Sequence, residues 1–213
     1  RAPRASASLS EGSPVELVRP ASWGPARCDD GGMRVGIADH LGWAVAVTAS
    51  SDHTVVDRRR IELVEPGTPV MPVHHDGQAL DDEGMSALIA SVRASAEHAS
   101  TRALDDLERC LPAPVASMAL RISPDEFPTD VATLRVPPWD ARADAVMYRE
   151  VLAEVACRRG WAIHRYDAKT AEAEAAALLG DRADEVLRGP RARLGPPWAK
   201  DHRVALAATI VGA

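Results

Sequence analysis

Aromatic side chains make up only 4% of this 213-residue chain, with a single Phe and two Tyr, so there is little material for the stacking platforms that hold unpaired bases. An excess of basic charge is also missing. Lys and Arg number 25 against 31 Asp and Glu, which gives a formal charge of −6 and argues against coating a nucleic acid or an anionic membrane through bulk charge. The three cysteines, Cys28, Cys110 and Cys157, form no CxxC and are odd in number. They suggest neither a disulfide framework nor a zinc knuckle, and a reducing, cytoplasmic setting is expected. No apolar run is long enough to span a bilayer, so no membrane partner is expected. The motifs GxGxxG after a strand, GxxxxGK[ST], HExxH and GxSxG are all missing, which removes the dinucleotide, P-loop, zincin and hydrolase-elbow readings.

What is present is enough apolar material, 46% of residues, for one ordinary core. Residues 1–32 are rich in Ala, Ser, Pro, Gly and Arg without periodicity, and read as a poorly ordered N-terminal extension. From Met33 the pattern changes. MRVGIAD and WAVAVTA are short Val, Ile and Ala runs separated by His40-Leu41-Gly42, whose glycine suits a tight hairpin turn. TVVDRRRIELV, Thr54 to Val64, reads as a third strand with a charged outer face at the sheet edge. After a loop carrying His74 and His75, Met85, Leu88, Ile89, Val92, Ala96, Ala99, Leu104 and Leu107 recur at three- and four-residue steps, predicting a long helix from about Asp81 to Arg109. Adjacent histidines cannot share one helical face, so His74-His75 is a loop pair rather than a metal site. PVASMALRIS, Pro114 to Ser123, predicts a fourth strand followed by the acids Asp125 and Glu126. A helix from about Asp140 to Arg159 closes at Gly160, WAIHRYDA gives a fifth strand, and the remainder is helical, ending in KDHRVALAATIV.

Three hairpin-linked strands followed by crossovers through helices imply a mixed α/β sheet. With VGIAD on the first strand, ISPDEF after the fourth and KDHRVALAA on the last helix, residues 33–213 resemble the ribonuclease H-like superfamily, nearest in pattern to the Holliday-junction resolvases of the RuvC type. The resemblance implies a five-stranded sheet in the order 3-2-1-4-5 flanked by helices. It also implies a metal-dependent phosphodiesterase, a hydrolase acting on structured or hybrid nucleic acid. Asp39, Glu126 and Asp201 would be the catalytic acids, and Asp39, Asp125, Glu126, Asp201 and His202 the donors for Mg²⁺ or Mn²⁺. Hard oxygen donors select such ions, and a pair of them about 4 Å apart activates water and stabilises a leaving oxygen. Arg191, Arg193, Lys200 and Arg203, with Arg188, would form a phosphate-facing rim.

The chain also departs from the resolvase pattern. Val204 stands where a second acid follows on the last helix, leaving His202 as substitute ligand, and only Gly42 of the residues after the first aspartate is retained. Two rivals stay open: a non-catalytic ribonuclease H-like domain that binds a protein or nucleic acid, and the ATP-binding half of an actin-like kinase, whose second phosphate loop is not evident. Each acid also has a plain structural role available, Asp39 in a turn, Asp125 and Glu126 in a solvated loop and Asp201 at a helix N-terminus. The reading of residues 1–32 is directly testable: a chain starting at Met33 is expected to melt within a few degrees of the full-length protein by differential scanning calorimetry. A large drop would place Val15, Leu17 or Trp23 in the core.

Overall fold

The computed structural model describes residues 31–124 and 126–212. The extension expected over 1–32 therefore lies almost wholly outside the described residues, as does Asp125. Strands β1 (Met33–Asp39), β2 (Trp43–Ala49) and β3 (Val55–Glu62) form an antiparallel meander. Gly42 turns the first hairpin at φ 76°, a left-handed value that favours glycine. A π-helical turn, Pro72–Asp76, precedes α1 (Asp82–Glu108), so the histidine pair expected in a loop sits in a short helical turn. Then come β4 (Val115–Arg121), α2 (Val131–Leu134), α3 (Asp140–Arg158) and β5 (Ala162–Tyr166). The remaining elements are α4 (Ala171–Leu179), a single 3₁₀ turn at Gly180–Arg182, α5 (Ala183–Arg188), α6 (Pro190–Leu194) and α7 (Lys200–Val211).

The five strands are ordered β3-β2-β1-β4-β5, with β4 parallel to both β1 and β5. This is the mixed sheet of the ribonuclease H-like fold expected from the sequence. Side chains of a strand alternate between its two faces. Val35 and Ile37 therefore pack with Val92, Ala96 and Leu104 of α1 and Val151 and Leu152 of α3. Ala38 lies in the opposite cluster, with Ala171 of α4, Leu187 of α5 and Val204, Ala205 and Ala208 of α7. The 46% apolar content thus divides between two layers, one on each side of the sheet.

Local chemistry sets the helix positions. Asp81 caps α1 by accepting the Gly84 amide at 2.8 Å. Buried Asp144 on α3 accepts the amides of Val73 and His74 at 2.9 and 3.1 Å, tying the π-helical turn to that helix. The β3 guanidinium of Arg58 donates to the carbonyls of Leu194, Gly195, Pro196 and Pro197, which fixes the path from α6 to α7 along the edge of the sheet. Helix α7 then lies close on β1 because Gly36 has no side chain: a Cβ there would stand 1.8 Å from the Ala205 carbonyl oxygen. Gly36→Ala is accordingly expected to force α7 off the sheet and to cost about 3 kcal/mol, read from the midpoint of urea unfolding. A variant as stable as the parent would refute this account of the α7 contact.

Candidate functional site

The first predicted acid, Asp39, ends β1 and has 3% of its surface exposed. A carboxylate so placed needs a counter-charge, and the protein supplies it from two sides. Nε of Arg149, on α3, donates to Oδ2 at 2.8 Å. Nε of Arg121, the last residue of β4, stands 3.4 Å from Oδ1 in an ion pair without a hydrogen bond. The second arm of Arg149 donates to the Ile122 carbonyl, which fixes the guanidinium across the edge of the sheet. Arg165, exposed near the end of β5, reaches the Arg121 carbonyl at 3.5 Å. Its guanidinium is held below the usual arginine range by desolvation and then by the like charge of Arg149. Two guanidiniums therefore hold one buried carboxylate, with Arg165 and Glu150 nearby, at the C-terminal edge of the parallel strands, where open α/β sheets build their ligand crevices.

Asp201, in the first turn of α7, has a different partner. Its Oδ2 lies 3.1 Å from Nε2 of His40. The His40 ring stacks on Trp43 at 4.0 Å between centroids, and the guanidinium of Arg60 lies 3.9 Å above the Trp43 ring. The His40 and Asp201 pair thus belongs to the outer, β2–β3 side of the edge. Strand alternation explains the separation. Asp39 has the parity of Val35 and Ile37 and bonds to α3, whereas α7 packs on the opposite face through Gly36 and Ala38.

The expected donors take separate partners in the structure. Among the described residues no group of three or more His, Cys, Asp and Glu side chains is placed to hold a metal ion. Glu126 is exposed beside a hollow lined by Phe127 and Trp139. The His202 ring nitrogen Nδ1 accepts the Ala199 amide at 3.3 Å, so the proposed substitute ligand serves as a helix cap. Asp125 lies outside the described residues. Around Asp39 the donor set is cationic, and this does not fit a centre in which the aspartate bridges divalent ions.

The basic rim is divided as well. Arg203 pairs with Glu172 at 2.9 Å, and Arg193 donates to the Val55 carbonyl at the far end of the sheet from Asp39. Arg191 and Lys200 are exposed. Arg121, Arg149 and Arg165 were not singled out in the sequence. The signal for them lay in the alternation of VGIAD, which puts the acid opposite the small residues that receive α7.

No family model matches the chain, and no curated protein matches it. Among solved structures, RuvC of T. thermophilus in complex with a Holliday junction substrate aligns at 12% identity and a TM-score of 0.44, covering 84% of this chain and 90% of that one. A second Thermus thermophilus RuvC structure aligns at 10% identity with the same TM-score and coverage. The strand order, not this likeness, carries the fold assignment.

If the ion pairs neutralise Asp39, removing its charge leaves Arg149 and Arg121 facing each other uncompensated. Asp39→Asn is then expected to destabilise the metal-free protein by about 1–3 kcal/mol, measured by denaturant unfolding. An acid cluster awaiting cations predicts the opposite sign, because the same change would relieve repulsion.

Proposed function

We propose that this chain is a non-catalytic ribonuclease H-like domain that binds nucleic acid through its phosphates at the Asp39 edge of the sheet. The observation that carries the reading is the pairing of both Asp39 oxygens with guanidiniums, with a third guanidinium, Arg165, adjacent. In a two-metal phosphodiesterase, cations neutralise the carboxylates, bind the scissile phosphate and generate the nucleophile. Guanidiniums perform the first two of these tasks, since their planar forks match phosphate oxygens. They do not perform the third, because a guanidinium does not lower the pKa of water by coordination. Three guanidiniums face the carboxylates of Asp39 and Glu150, the latter shared with Arg93, and leave a local positive excess that a phosphodiester backbone complements, even on a chain whose formal charge is −6.

The metal-dependent nuclease reading draws on the same fold and on the exposed acids, and the experiment separates the two. Four-way junction, duplex, hybrid and single-stranded probes are titrated with protein at two salt concentrations, followed by fluorescence anisotropy, and then incubated with Mg²⁺ or Mn²⁺. Binding is expected to weaken as salt rises, and Arg165→Ala, which leaves the Asp39 pairs in place, is expected to weaken it about three- to tenfold at low salt. No metal-dependent strand cleavage is expected. Cleavage abolished by Asp39→Asn would replace this reading with the nuclease one, and no binding to any probe would exclude nucleic acid as the partner.

A further inference from the structure

A second site lies at the opposite end of the sheet and does not depend on the nucleic-acid reading. Arg34 pairs with Ala49 across the β1–β2 ladder while Asp39 pairs with Ala44, so the hairpin that follows Ala49 is at the edge remote from Asp39. That hairpin, residues 50–54, encloses one side of a cavity of about 340 Å³. The facing wall is the segment from Arg182 to Arg193. Val55, Val186 and Pro190 give it an apolar floor, and all three are buried.

Its polar groups are unevenly matched. Asp52 is engaged within its own turn, accepting from the Ser50 hydroxyl and from both the amide and hydroxyl of Thr54. These bonds, that of Ser50 first, hold its carboxyl down at about 2. Arg182 makes no hydrogen bond or ion pair with any described residue, and Arg193 commits one arm of its fork to the Val55 carbonyl. His53 is held at φ 69°, an uncommon value for a residue with a side chain, and its Nδ1 is buried without a hydrogen-bond partner among the described residues. Glu185 is the remaining acid on the wall. An unpartnered guanidinium, a second with free donors and an orphaned imidazole nitrogen around an apolar floor define a receptor for a compact oxyanion carried on a small apolar body.

We propose that this cavity binds a small organic anion, the charged end being a carboxylate or a phosphate held by Arg182 and Arg193, with His53 beside it. His53 lines the cavity together with both arginines, and its pKa lies below the ordinary histidine value, first through desolvation, then through Arg34 and Arg182, with Asp52 opposing. The charged groups facing it are Arg34, Asp52, Arg182, Arg193 and Glu185. An anion on the two arginines cancels part of that positive field and raises the His53 pKa.

The test uses the full chain, with inorganic phosphate, glycerol 3-phosphate and butyrate as probes against chloride at equal ionic strength. Calorimetric titration measures affinity, and imidazole resonances followed against pH report His53. Saturable binding of at least one probe is expected, with the His53 pKa moved upward by about half a unit or more. Arg182→Ala is expected to reduce affinity about tenfold or more without lowering the melting temperature of the free protein, since its guanidinium holds no other described group. Preference for glycerol 3-phosphate over butyrate identifies a phosphate ligand, and the reverse a carboxylate. Binding unaffected by Arg182→Ala, or responses that chloride reproduces, would overturn the proposal. Nucleic-acid binding at the other edge is unaffected by either result.

Discussion

A carboxylate buried at the end of a central strand constrains everything around it, because it must be met by positive charge from some source. In this protein the source is built in. Arg149 approaches Asp39 from α3 and Arg121 from the end of β4, so a helix and two parallel strands are joined at one ion cluster. The cluster fixes the α3 side of the sheet edge, while Gly36 and the Ala205 carbonyl fix α7 on the other. Between them these contacts decide which side chains gather at Asp39: Arg149 and Arg121 pair with it, and Asp201 pairs with His40.

That arrangement changes the chemistry available at a site whose position is ordinary for the fold. A divalent ion is a removable charge that also activates water, whereas a guanidinium is permanent and offers only donors and charge. Under the proposed reading, substituting one for the other keeps recognition of phosphate and gives up hydrolysis. The stack of His40, Trp43 and Arg60 lies along the same edge, with His40 paired to Asp201 and Arg60 to Glu62.

The strands and long helices were legible because they rest on local signals that tertiary structure did not override, whereas the short turns at Pro72–Asp76 and Val131–Leu134 carry no such signal. VGIAD and WAVAVTA around Gly42 gave the hairpin, the three- and four-residue spacing from Met85 to Leu107 gave α1, and Gly160 adopts the left-handed conformation that its place after α3 suggested. The site was less legible, for a physical reason. Acids can be found in a sequence, but what neutralises them is decided by residues distant in the chain: Arg149 lies 110 positions from Asp39. His202 reads as a potential ligand, yet its position three residues after Ala199 makes it a cap for the helix that carries it. The one local clue was strand parity, since Asp39 and Ala38 point to opposite faces and α7 requires the face of the small residues.

The central claim is that Asp39 is held by protein guanidiniums in the functional state, and a double-mutant cycle tests it most directly. Asp39→Asn, Arg149→Met and the double variant are compared by equilibrium unfolding, with and without Mn²⁺. A favourable coupling of about 1–3 kcal/mol between the two positions, unchanged by the metal, is the result this structure requires. A coupling near zero, or one that Mn²⁺ abolishes while stabilising the parent protein, would show that the aspartate answers to a cation instead.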